Sequence, residues 1–253
     1  FRRVLFRSIA DGFDLLAELG AVQRSGELTA VGKTLARLPV DPRLGRMLLA
    51  AKDLEALRET LIIAAALCVQ DPRERPLEAQ AAADQAHRQF AHDKSDFLSL
   101  VKLWDFIAEH QAHKKSNRKF ADQLRTHFLS PRRVREWVDV HAQLVAAVGQ
   151  LGWRVNTSPA TYEQLHQALL TGLLGNIGCR ALDADFRAPP FLGARGIKFS
   201  LWPGSHLSKK AGRWVMAAEL VDTTRLFARM VANIEPQWIE RAGAHLIKKS
   251  WSD

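Results

Sequence analysis

Cysteine is almost absent: Cys68 and Cys179 are the only two in 253 residues, and neither belongs to a Cys-x-x-Cys pair. A disulfide framework and a thiolate zinc site are thereby excluded, and a reducing, cytoplasmic setting is expected. Long apolar runs are missing too. The longest, LIIAAALCV at residues 61–69, holds nine residues, against the roughly twenty that a bilayer-spanning helix needs. It reads as part of a central core helix, with Cys68 as a small core residue. No membrane partner is expected. The opening FRRVLFRSIADG is basic but has no apolar segment of the kind a secretory signal carries. Catalytic signatures are also lacking: the chain has no GxxxxGK[ST] phosphate loop, no DEAH tetrapeptide, no HExxH and no GxSxG. Nucleotide cradling, zinc-protease chemistry and a marked serine nucleophile have no anchor here. The histidine pairs 87/92 and 110/113 have no supporting ligands at metal spacing.

Acidic residues are in the minority. Lys and Arg number 36 against 27 Asp and Glu, giving a net charge of +9 and a pI near 9.9. Such a balance fits a polyanionic partner, nucleic acid ahead of membrane, with a merely solvated basic surface as the plain alternative. The charge is uneven. Residues 1–109 carry a net −1, residues 110–160 carry +6 and residues 161–253 carry +4. A positive field confined to the middle and the end of the chain is what a nucleic-acid groove between two modules produces.

Periodicity divides the chain into a long helical part and a short strand-rich one. Residues 9–38 predict a helix, a stop at Gly20, a turn at Ser25-Gly26 and a second helix from Thr29; this fits the end of a winged helix and equally an ordinary helical hairpin. Asp41-Pro42 starts the next helix, since an Asp cap followed by proline suits a first turn. A second helix is expected over 55–70. DPRERP (71–76) then breaks the pattern, because Pro72 and Pro76 cannot share a helix interior. A helix capped by Asp93 or Ser95 carries Phe97, Leu100, Val101, Trp104 and Ile107 on one stripe, a core face. HKKSNRK (113–119) reads as a basic linker.

Ser130-Pro131 opens a long helix over 131–151, with Val134, Trp137, Val138, His141, Leu144, Val145, Val148 and Leu151 as its buried face. After Gly175, short strands are expected near 178–187, 196–202, 213–222 and 227–234, followed by a helix after Pro236. Four or five short strands in under a hundred residues fit a small Greek-key barrel of the OB type. The expected fold is therefore mixed and mainly α: the end of a winged helix, a ratchet-like helical bundle and an OB-type barrel.

Two groups of residues stand out as candidate contacts for a nucleic acid. Arg132, Arg133 and Arg135 lie in the first turn and a half of the helix that Ser130 caps. Cations there oppose the helix macrodipole, while a phosphate suits the same positive end. The alternative is ordinary surface pairing with acids, such as Glu136 and Asp139 nearby. The second group lies in the barrel: Lys198, then Lys209, Lys210 and Arg213 in KKAGR (209–213), which reads as a basic hairpin tip. Phe199 and Trp202 are either stacking surfaces or core rings. They are an odd number of residues apart, so in a regular strand they face opposite sides.

DPRERP, GIKFSLWPGS (196–205), KKAGR and the strand-like residues 214–240 together resemble the C-terminal accessory region of bacterial DEAH-box RNA helicases of the HrpA type. The order of further stretches is similar to that family as well: LTAVGKTLARLPVDPRLGRMLL (28–49), DQAHRQFAHDKSDFLSLVKLWDF (84–106), SPRRVREW (130–137) and LLTGLLGNIG (169–178). The resemblance implies a winged-helix remnant at 9–40, a helicase-associated ratchet domain at 41–156 and an OB fold at 157–253. Residues 3–8, RVLFRS, match a translated sequencing-adapter tail, so residues 1–8 are read as an assembly artefact. WPGS stands where eukaryotic relatives have HPSS; its last serine matches, which carries Ser205 over as an RNA-facing residue.

The resemblance also implies a parent ATP-dependent 3′-to-5′ RNA helicase using ATP and Mg, with RecA-like domains upstream. This part would bind single-stranded RNA, with no catalytic residue, metal or cofactor of its own. Two other readings remain: a free-standing OB-containing nucleic-acid adaptor without ATPase, and a platform that docks acidic proteins.

Overall fold

The first helix, α1 (Arg2–Glu18), ends where Gly20 takes a φ of 69° that side-chain-bearing residues avoid. Val22 and Leu28 then form an antiparallel bridge around the turn at Gly26. Thr29 closes this miniature wing by donating to Gly20 O at 2.7 Å and accepting from the Gly32 N–H of α2 (Ala30–Leu35). These features belong to a computed structural model that describes residues 2–23, 25–180 and 190–246.

Asp41 caps α3 (Pro42–Asp53), whose Leu44, Met47, Leu48 and Ala51 are buried. Glu55, at φ 55°, separates it from α4 (Leu57–Leu67), which starts two residues later and ends sooner than the apolar pattern predicts. Its nine residues from 57 to 66 other than Arg58 are buried, so α4 is the central helix. The early stop leaves Cys68 exposed at its C-cap, not in the core. A short α5 (Gln80–His87) follows the proline-broken stretch. Ser95, not Asp93, caps α6 (Asp96–Ala112), its hydroxyl accepting from Leu98 N–H at 3.2 Å. Phe97, Leu100, Val101 and Ile107 are buried as the stripe predicts, with Trp104 half-buried against Trp137.

The expected basic linker is shorter than its composition implies. Ser116 caps α7 (Asn117–Thr126), so Arg118 and Lys119 sit in a first helical turn. The long α8 (Pro131–Gln150) packs on α4 through Val134, Trp137, Leu144 and Val148; the Trp137 Nε1–H donates to Ile62 O at 3.0 Å. Val145 is 37% exposed, because the contact with α4 is narrower than the apolar stripe. A capping box of Thr161 and Gln164 starts α9 (Tyr162–Leu170), which lies on α3. Just after it, a Cβ on Gly172 would sit 2.4 Å from Arg43 O, so only glycine allows this approach.

The barrel consists of β1 (Ile177–Arg180), β2 (Phe191–Gly193), β3 (Lys198–Leu201), β4 (Trp214–Asp222) and β5 (Leu226–Asn233), and α10 (Pro236–Ala242) follows it. The strands close in the order β1-β2-β3-β5-β4, with β1 also paired to β4 and with β3 and β5 parallel. The expected first strand is described only to Arg180; its remainder, 181–187, lies outside the described residues. Phe191, Phe199, Leu201, Leu207, Val215, Ala217, Ala228 and Val231 fill the interior. Gly178 makes room for Phe199, whose ring would lie 2.3 Å from an added Cβ. Closure corrects one expectation. Because β5 separates β3 from β4, residues 209–213 are not a hairpin tip but the end of a turn-rich crossing from β3 to β4.

Candidate nucleic-acid interface

The fold brings the DPRERP stretch onto the start of α8. Arg73 bridges Leu129, Ser130 N–H donates to Pro72 O at 2.8 Å and Glu74 N–H donates to Phe128 O at 2.8 Å. This short two-stranded contact explains why the prolines are tolerated: an extended segment is what the pairing needs. Its arginines are largely committed. Arg73 forms a two-point pair with Asp71, with Nη2 to Oδ2 at 2.6 Å and Nε to Oδ1 at 3.0 Å. Burial works against both charges, but the pairing outweighs it, so the Asp71 carboxyl is held below its ordinary range and the Arg73 guanidinium above its own. Arg75 pairs with Asp84 at 2.7 Å.

The three arginines of α8 divide by partner. Arg133 is half-buried and donates to Asp71 O at 3.2 Å. Arg132 is exposed but pairs one turn along with Glu136 at 2.9 Å. Arg135 is exposed and makes no ion pair among the described residues. The surface-pairing alternative thus describes Arg132, and Arg135 is the member of the cluster without an ion pair among the described residues.

In the barrel, Lys198, Lys209, Lys210 and Arg213 are all exposed. The crossing that carries the last three is held in place. Buried Leu207 anchors its turns, Gly212 N–H donates to Asn233 Oδ1 at 2.8 Å, and Arg180 Nη2 donates to Ala211 O at 3.1 Å. Phe199 is fully buried and Trp202 faces outward, half-buried, as their odd spacing requires. Ser205 is a correction. It is buried, its hydroxyl donates to Asp96 Oδ2 at 2.6 Å and accepts from Leu207 N–H at 3.1 Å. It therefore faces the helical body with its hydroxyl already paired, not an open surface.

That contact opens a seam that sequence reasoning missed. Asp96, in the first turn of α6, also accepts from Val231 N–H at 2.9 Å. Met230, at φ 55°, turns the strand next to that amide. Beside it, His166 Nδ1 lies 2.6 Å from Tyr162 O and Nε2 lies 2.7 Å from Ser95 Oγ. A carbonyl only accepts, so Nδ1 carries the proton and Ser95 donates to Nε2. Burial pushes the His166 pKa down to about 3 and leaves a neutral ring at ordinary pH. Tyr162 Oη lies 2.8 Å from both Lys94 O and Asn233 O, one proton between two acceptors, and burial raises its pKa. The only signal in the sequence was the lone tyrosine four residues before a histidine on one helix face. Over the seam lies an open cleft of about 930 Å³, bordered by Lys94, Lys102, Tyr162, Arg213 and Trp238.

Three family profiles match in sequence order. A winged-helix helicase-associated domain (HA2) covers residues 14–40, a ratchet-like helicase-associated domain (HA2) covers 41–100 and an oligonucleotide/oligosaccharide-binding (OB) fold covers 165–246. The chain is 48% identical over 252 residues to the ATP-dependent RNA helicase HrpA of Escherichia coli (strain K12), spanning 98% of this chain and 19% of that protein. It is 47% identical over 253 residues to the HrpA homolog of Haemophilus influenzae, spanning 97% and 19%. With the pre-mRNA-splicing factor prp22 of Schizosaccharomyces pombe it shares 28% over 231 residues, spanning 88% and 18%. The chain is homologous to the winged-helix, ratchet-like and OB region of HrpA-like DEAH-box helicases, and it spans about a fifth of the length of these curated relatives.

Proposed function

We propose that this chain is the RNA-gripping accessory region of an ATP-dependent RNA helicase of the HrpA kind, working in the cytoplasm. RecA-like domains of the parent protein hydrolyse ATP with Mg; the region described here holds single-stranded RNA. The observation that carries this reading is the collinear order of winged helix, ratchet and OB barrel, together with exposed cations on the barrel that make no ion pair among the described residues. Lys198, Lys209, Lys210 and Arg213 are the contacts on the barrel side, and Arg135 is the contact on the helical side. An exposed cation without an acidic partner gains from a phosphate, because counterions leave when the strand binds.

The test is fluorescence anisotropy of the 253-residue chain with a labelled single-stranded RNA across a salt series, beside an ATPase assay. Binding that weakens steeply with salt, with no ATP turnover, is the expected result. An absence of RNA binding at low salt overturns the reading.

A further inference from the structure

The outer wall of the barrel between β3 and β5 carries an aromatic and cationic group. The two strands run parallel, with Ser200 beside Phe227 and Leu201 beside Ala228. Phe199, Leu201 and Ala228 point inward, so the alternation sends Lys198, Ser200, Trp202, Phe227 and Arg229 outward. Trp202 is fixed to β5 by its own amide, which donates to Ala228 O at 2.9 Å. Phe227 meets the indole edge to face, with centroids 5.4 Å apart at 86°. The Arg229 guanidinium lies over the indole, its Cζ 4.2 Å from the ring centroid, and Arg225 lies over Phe227 at 5.9 Å.

The partners of Arg229 are the telling feature. Its Nε is buried and has no hydrogen-bond acceptor among the described residues. Its Nη1 is 3.7 Å from Glu219 Oε1, beyond hydrogen-bond reach. Glu219, its cross-strand neighbour, is therefore a long ion-pair partner, while the indole covers the guanidinium face. Burying a charged donor without an acceptor is costly, and the contact with the indole offsets part of that cost. Lys198 and Arg225 are exposed at the same edge and make no ion pair among the described residues; Glu219 and Asp222 on β4 are the acids that adjoin this face.

Planar rings, a planar cation and flanking charges match an unpaired nucleobase with its phosphate better than a carboxylate side chain, which has no ring to stack. We infer that Trp202, Phe227 and Arg229 form a stacking platform for one unpaired base of an RNA strand, with Lys198 and Arg225 holding the adjacent backbone. The inference rests on the proposed RNA-gripping role and adds a base-dependent contact to a role otherwise carried by charge.

The experiment separates base from backbone. The 253-residue chain is titrated with a short oligouridine and with an abasic ribose-phosphate strand of equal length and charge. The expected result is oligouridine binding about tenfold tighter than abasic binding, as one stacked base provides. Trp202→Leu keeps apolar cover, and Arg229→Lys keeps the charge but removes the plane. Each is expected to bring oligouridine binding down to the abasic level without changing abasic binding. Phe227→Leu is the second route should either variant melt early. As a direct readout, a 4-thiouridine strand irradiated on the wild-type chain is expected to crosslink within residues 200–202 or 225–229. Equal binding of both strands by the wild type, or a preference for bases that persists in a folded Trp202→Leu chain, overturns the platform and leaves the RNA-gripping role standing. No binding of either strand overturns both.

Discussion

Trp202 and Ser205 are three residues apart and belong to regions built on opposite rules. Ser205 enters the seam between barrel and helical body, where it, Asp96, Ser95 and His166 each find partners within 3.2 Å. Trp202 faces outward beneath an arginine whose Nε has no acceptor among the described residues, beside Lys198 and Arg225, which make no ion pair among them. Polar groups paired inside the molecule are spent on folding, and those left open at the surface are available to a ligand. The basic residues around α8 repeat the contrast at close range: Arg73 and Arg132 are paired with acids and Arg133 is held to a backbone carbonyl, while Arg135 makes no ion pair among the described residues. Seam residues should thus govern stability and leave RNA affinity intact, and surface cations should do the reverse.

The largest effect is expected from the seam under acid. The folded-state pKa of His166 is depressed to about 3 by burial, against an unfolded value of about 6.5. Above about 6.5 neither state binds the proton. As pH falls, the unfolded state takes it first, so stability declines by about 1.4 kcal/mol per pH unit until the folded ring also titrates. Denaturant melts of the wild type and His166→Gln between pH 7 and about 4.5 check this. The pH slope of the variant should be shallower by about one proton; parallel slopes would show that His166 is accessible.

Next comes the carboxylate across the seam. Asp96→Ala strands the Val231 amide and the Ser205 hydroxyl, and should cost on the order of 3 kcal/mol, as for hydrogen bonds to a buried charge. RNA binding of the folded fraction should not change. If affinity fell while stability held, the seam would belong to the RNA path and the contrast would fail.

On the surface side, the triple variant of Lys209, Lys210 and Arg213 to alanine should melt as the wild type does. Its log K against log salt slope should fall by roughly 0.7 per lost phosphate contact, about 2 in all. The smallest and sharpest comparison lies within one helix. Arg135→Ala should lower the slope by roughly 0.7, whereas Arg133→Ala should leave it unchanged and cost about 1 kcal/mol through the lost Asp71 contact. Equal slopes for the two variants would mean that internal pairing does not remove an arginine from RNA binding.

Much of the architecture was legible in local chemistry. Asp41-Pro42, Ser95 and the proline of Ser130-Pro131 mark helix starts, because a cap or a first-turn proline acts within one turn. The alternation of β-branched and aromatic residues marks the strands, and the odd spacing of Phe199 and Trp202 requires one ring in and one out. The errors fall where distant partners decide. Val145 belongs to an apolar stripe wider than the α4 contact, and Cys68 lies just past the point where α4 ends. Residues 209–213 looked like a hairpin tip because adjacent strands usually pair, but barrel closure puts β5 between β3 and β4.

By itself, then, the sequence determined the helix starts, the break at DPRERP, the strand periods and the excess of positive charge, since each depends on neighbours along the chain or on composition alone. Tertiary structure alone decided which polar groups are spent. Ser205 meets Asp96 across 109 positions, and Arg133 meets the Asp71 carbonyl across 62. Whether a serine or an arginine faces a ligand depends on whether an acceptor from elsewhere in the chain reaches it first, and no local pattern carries that information.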